Sequence, residues 1–149
     1  MEFILDELLT SEIPRDKICF EITETTAATN LTDAMEIITE LKELGFKFAL
    51  SDFGTGLSSY TYLKKMPVDY LKIDGAFIKG IAASSNDLAM VQSINEMAHL
   101  LGKQTIAEYV ENADTQKKLV SIGVDYLQGF HIERPMQLDN LLKTNSLAS

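Results

Sequence analysis

Apolar residues recur along this chain with two alternating periods. Ile18, Phe20 and Ile22 share one face of a two-residue repeat and Cys19, Glu21 and Thr23 the other, which predicts a strand over 18–23. Leu31, Ala34, Met35, Ile38, Leu41 and Leu44 then recur at spacings of three and four. Gly45 follows where a helix C-cap belongs, so 31–44 reads as helix. The same reasoning predicts strands over 46–52, 68–74, 103–110 and 124–130, and helices over 58–65, 87–101 and 115–122. Pro67 stops the first of these helices, and Gly102 and Gly123 close the other two. A helix over 3–9 precedes the first strand, and the tail from Leu138 onward also reads as helical.

Strand starts near 18, 46, 68, 103 and 124 lie 28, 22, 35 and 21 residues apart, the length of βα units. Strands alternating with helices imply an α/β fold with a parallel sheet. No linker or Pro-rich stretch divides the 149 residues, so 1–149 is expected to be one domain. The opening helix without a preceding strand is odd for a complete α/β domain.

Composition (46% apolar, 23% charged) is that of a globular protein. Apolar runs are too short for a transmembrane helix, and the first residues lack a secretory n-region. Cys19 is the single cysteine, which excludes an internal disulfide and suits a reducing cytoplasm. The formal charge of −9 argues against DNA or anionic lipid as partners. A small anionic ligand stays open, because a bound cation reverses the local sign.

Position makes the acids informative. Four of the five strands end in them: Glu21 with Glu24, Asp52, Asp74, and Glu108 with Glu111; the fifth ends in Gln128. In a parallel array all these ends lie on one rim. Crowded carboxylates repel unless a cation neutralises them, and an oxygen-rich rim suits Mg²⁺ or Mn²⁺. Lys72, two residues before Asp74, projects to the same face and could hold or activate a water. Each acid alone is better read as solvated; the repetition across strands is what favours a site. His99 reads as a packed or surface histidine, and His131 lies near the rim. Met35, Met66, Met90 and Met97 fall at core-type positions, and Cys19 is expected to fill the sheet interior.

Five segments occur in order: Glu21-Ile22-Thr23-Glu24, Asp52-Phe53-Gly54-Thr55-Gly56, Leu71-Lys72-Ile73-Asp74, Ala107-Glu108-Tyr109-Val110-Glu111 and Gln128-Gly129-Phe130. Over about 110 residues they resemble the consecutive signatures of the EAL domain, the bacterial cyclic-di-GMP phosphodiesterase family. The resemblance implies a TIM-type (β/α) barrel, seen here as a partial barrel of about five parallel βα units. It implies a two-metal site with Mg or Mn, in which Glu21 binds the first metal while Asp52 and Glu108 serve the second; Asp74 is a further candidate ligand. Glu24 would brace the loop from Asp52 to Gly56. Lys72 would orient or deprotonate the attacking water, and Gln128 would support that water or the phosphate. The family reaction opens one phosphodiester of cyclic-di-GMP to give linear pGpG.

Departures from the family pattern matter equally. Ser51 stands where the family has the first aspartate of a pair, the one bridging both metals, and a hydroxyl is a weak ligand for a hard cation. The Glu-Ala-Leu tripeptide is absent, and no counterpart of the family's Asn ligand precedes Glu21. Tyr109 occupies a position where the family usually has glycine. TIM-type barrels run to about 250 residues, so roughly three strands are missing. The chain is therefore expected to be a C-terminal portion of a longer domain, a truncated product, or a protomer that pairs with another copy as a homodimer. Two functions follow: an EAL-type phosphodiesterase seen in part and impaired by Ser51 and the missing ligands, or a catalytically inactive module that binds cyclic-di-GMP or a protein partner as a regulator. The isolated chain is expected to be inactive.

Overall fold

A computed structural model describes residues 2–54 and 60–137. Helix α1 (Glu2–Thr10) and a short 3₁₀ turn (Arg15–Lys17) lead into β1 (Cys19–Thr23). The chain continues through α2 (Glu24–Thr29), α3 (Leu31–Glu43), β2 (Lys47–Phe53), α4 (Tyr60–Lys65), β3 (Tyr70–Ile73) and α5 (Gly75–Ile78). Helix α6 (Ser85–Leu100), β4 (Gln104–Ala107), α7 (Ala113–Ile122) and β5 (Tyr126–Leu127) complete the elements of the described residues. All strand pairs are parallel and spatial order equals chain order, β1-β2-β3-β4-β5. The helical reading of the tail and most of the Gly54-Thr55-Gly56 loop lie outside the described residues.

Long elements form where burial and local propensity agree. In α3, Ala34, Ile38 and Leu41 bury one stripe against the sheet. Leu50, Leu71 and Ile73 are fully buried from the strand side, each contributing about 1.5–3 kcal/mol of apolar burial. Helix starts are capped by short polar side chains: Thr23 accepts from the Thr26 N–H, Ser84 from Asp87 and Asn112 from Thr115. Gly123, at φ +85°, ends α7 in the left-handed conformation that glycine adopts without a Cβ clash.

Periodicity missed α2 and α5. Helix α2 is Thr-rich and has one fully buried apolar residue, Ala27, so it carries no apolar stripe to read. Helix α5 is a single turn. The strands over 68–74, 103–110 and 124–130 are each shorter than the pattern suggests, because the chain turns into rim loops once the ladder ends. Two side chains lie elsewhere than expected. Cys19 is exposed rather than interior, since β1 stands at the end of the described sheet and is paired only with β2. Met90 is 48% exposed on α6, whereas Met66 is buried as expected.

Candidate functional site

Parallel pairing brings the carboxyl ends of β1 to β4 to one rim, and three acids converge there. Carboxylate oxygens of Asp52, Asp74 and Glu108 all lie within 4.8 Å of one another, and each residue is half-buried. Each arrives by a different local device. The β2–β3 register shifts between Leu50 and Phe53, and Asp52 sits in that irregularity at φ +57°. Such bulges re-aim a side chain at the cost of backbone strain. Asp74 is the N-cap of α5, and its Oδ1 accepts the Ala76 N–H at 2.7 Å. Glu108 follows β4 and extends the ladder, its N–H donating to the Ile73 carbonyl.

Lys72 ties this trio to β1. Its ammonium donates to Glu21 Oε2 at 2.8 Å and lies 2.6 Å from Glu108 Oε1, with the side chain only 9% exposed. Burial alone would depress the lysine pKa, but hydrogen bonds and charge from Glu108 and Glu21 outweigh it and hold the ammonium above its usual range. Glu21 itself is outside the trio, on the far side of that ion pair, with its side chain 48% exposed.

The supporting residues take distinct places. Glu24 is buried at the start of α2, and its Oε2 accepts the backbone N–H of Gly54 at 3.1 Å. Ser51 is buried in β2, opposite Thr23 in the ladder and one residue before Asp52. Gln128 prolongs the β4–β5 pairing: its N–H donates to the Ala107 carbonyl and its carbonyl accepts from Val110. It lines a cleft of about 350 Å³ together with Glu108, Tyr109, Glu111 and Phe130. Gly129 makes the cleft wall possible, since a Cβ there would meet the Val110 backbone N and O at 2.3 Å.

Both histidines are engaged with partners other than the three converging acids. His131 Nε2 pairs with Gln116 Oε1 at 3.0 Å, and His99 Nε2 with Asp125 Oδ2 at 2.7 Å. Tyr109 is the residue whose part sequence reasoning understated. Its φ is +56°, which explains why glycine suits the position, and its ring packs on Gly75 with the Lys79 ammonium 3.9 Å from the ring centroid. Its departure from glycine was the visible signal; the backbone conformation was not visible.

The donor set fits a hard divalent cation. Three converging carboxylates place concentrated negative charge in a half-buried site, and the Lys72–Glu108 ion pair offsets part of it. All-oxygen ligands of this kind suit Mg²⁺, Mn²⁺ or Ca²⁺.

A family model described as EAL domain matches residues 1–135. The chain is 46% identical over 138 residues to the cyclic di-GMP phosphodiesterase PdeB of Shewanella oneidensis, covering 93% of this chain and 16% of that protein. It is 44% identical over 133 residues to the cyclic di-GMP phosphodiesterase PdeA of Borreliella burgdorferi, covering 89% of this chain and 20% of that one. Among solved structures it is similar to the PaMucR phosphodiesterase in its c-di-GMP complex, with a TM-score of 0.87 and 35% identity. That match covers 94% of this chain and 57% of the other. The chain thus spans 20% or less of the length of these two curated relatives. With five parallel strands in sequential order, it is an α/β partial barrel. No described helix is long and apolar enough to cross a membrane.

Proposed function

We propose, because the chain belongs to the EAL domain family, that its rim is part of a cyclic-di-GMP site with metal-dependent phosphodiesterase chemistry. The observation that carries this reading is the convergence of Asp52, Asp74 and Glu108, with Lys72 bridging Glu108 to Glu21. Glu21, Asp52, Asp74 and Glu108 are the residues that would hold Mg²⁺ or Mn²⁺. Cations there would neutralise phosphate charge and act as Lewis acids toward one phosphodiester, so that an acidic protein accepts an anionic dinucleotide. Lys72, fixed by two carboxylates, would orient or deprotonate the attacking water. Gln128, on the cleft wall, would support that water or the phosphate, and Glu24 would hold the Asp52 loop through Gly54. The products would be linear pGpG from cyclic-di-GMP and water.

Ser51 limits this chemistry in our reading. A buried hydroxyl one residue from Asp52 replaces a carboxylate, which removes one hard anionic ligand. The same observation favours a second reading, a module that binds cyclic-di-GMP, or a protein partner, as a regulator without hydrolysis. In either case, further chain or a second copy would cover the inner sheet face, where Cys19 and Tyr126 are exposed.

Incubation with cyclic-di-GMP and Mg²⁺ or Mn²⁺, followed by product analysis and a parallel binding isotherm, tests these readings. Slow pGpG formation that Ser51→Asp accelerates supports the impaired enzyme. Binding without turnover, in the wild type and in Ser51→Asp alike, supports the regulator. Absence of nucleotide binding in the intact protein sinks the cyclic-di-GMP site.

A further inference from the structure

We propose that Tyr109 is a positioning residue for the cation site: its ring joins the turn that carries Glu108 to the helix that Asp74 caps, and so sets the spacing of those two carboxylates. This rests on the metal-site reading above.

Tyr109 follows Glu108 directly, so whatever fixes its backbone fixes the end of β4. That backbone is held at φ +56°, a conformation that residues other than glycine adopt only against local strain. Something must hold it, and burial does not, because Tyr109 is 53% exposed. The flanking backbone is pinned by the Glu108 N–H on the Ile73 carbonyl and the Val110 N–H on the Gln128 carbonyl, and the ring adds a restraint from α5. The ring lies so close to Gly75 that a Cβ there would fall 2.5 Å from Tyr109 Cδ2 and 2.8 Å from Cγ. At the other end of the same helix, the Lys79 ammonium sits 3.9 Å from the ring centroid, a cation–π contact. The ring therefore packs on the first residue of α5 and meets the side-chain ammonium of its C-cap residue.

Asp74 is the N-cap of that helix, bonded to the Ala76 N–H. Asp74 belongs to α5 and Glu108 to the end of β4, and their oxygens lie within 4.8 Å of each other. Movement of α5 against the β4 turn would separate two of the three converging acids. Groups that orient metal ligands from outside the coordination shell commonly change metal affinity when removed. With glycine at position 109 the backbone would relax but the connection to α5 would be lost.

The test is Mn²⁺ titration of the intact protein, with free Mn²⁺ read by electron paramagnetic resonance and thermal midpoints measured alongside. Tyr109→Gly should weaken Mn²⁺ binding by roughly tenfold while leaving the midpoint unchanged or higher, since glycine suits the positive φ. Tyr109→Phe keeps the ring and should bind as the wild type does. Gly75→Ala, whose new Cβ displaces the ring, should weaken binding comparably and add nothing in the Tyr109→Gly background. Wild-type affinity in Tyr109→Gly, or full additivity in the double variant, overturns the proposal and leaves the metal site standing. If the wild type fails to bind Mn²⁺, the metal-site reading itself falls and takes the proposal with it.

Discussion

Glu24 and Gly54 are thirty residues apart in the chain, yet the Gly54 backbone N–H donates to Glu24 Oε2 at 3.1 Å. A buried carboxylate at the start of α2 thereby fixes the residue that follows β2, two positions beyond Asp52. Glu24→Ala leaves that N–H without its acceptor, which costs about 1–3 kcal/mol. Urea unfolding should show this loss, and Mn²⁺ affinity should fall with it. Glu24→Gln retains an acceptor oxygen and should recover most of the stability.

Lys72→Met removes the cation between Glu21 and Glu108 and leaves two carboxylates facing each other. The expected loss is about 2 kcal/mol near neutral pH, below the 3–5 kcal/mol of a fully buried pair because Glu21 is half exposed. The native state holds the Lys72 proton more tightly than the unfolded chain does. Its stabilisation is therefore complete below the unfolded value of 10.5 and is lost as pH rises through the higher folded value. Urea midpoints of the wild type and Lys72→Met should converge as pH rises past 10.5 and through the raised folded value; a constant gap would refute this assignment.

Asp125 answers to the opposite end of the pH scale. Burial would raise its pKa, but the Thr105 N–H, the His99 side chain and the Thr105 hydroxyl outweigh burial and lower it. Its stabilisation is present above pH 3.8 and fades as pH falls through the depressed folded value. Asp125→Asn should cost about 1.5–3 kcal/mol at neutral pH, the range for hydrogen bonds to a charged group, and should flatten the acid limb of the stability profile. Thermal melts from pH 7 down to pH 2 read both effects.

Gly129→Ala places a Cβ 2.3 Å from the backbone N and O of Val110, neither of which can rotate away. Overpacking of this kind costs about 1–3 kcal/mol, and the shifted wall should also weaken nucleotide binding in the cleft. An alanine variant with wild-type stability and binding would show that the turn has freedom the structure does not display.

The long elements were legible because burial imposes their period: Ala34, Ile38 and Leu41 announce α3 directly. The rim was legible too, since parallel strands deliver their ends to one side. What brings Asp52 into the trio was not legible. Simple alternation puts neighbours on opposite faces, and the β2 irregularity with its φ of +57° changes that locally. Alternation likewise assigned Cys19 to a face without revealing that the face is exposed there. Helix α5 escaped notice because one turn has no period, although its N-cap is Asp74, whose side chain accepts the Ala76 N–H.

The sequential order of the sheet has a consequence for how the molecule comes into being. Each strand pairs with its predecessor in the chain, so a growing polypeptide can add βα units one after another without threading past finished ones. The acids then arrive in a fixed sequence: Glu21, Asp52, Asp74 and last Glu108. A nascent chain can form most of its hydrophobic layer before Glu108 emerges, and only then can the three carboxylates meet. At the proposed site, cation capture would thus have to wait until the fourth strand has assembled.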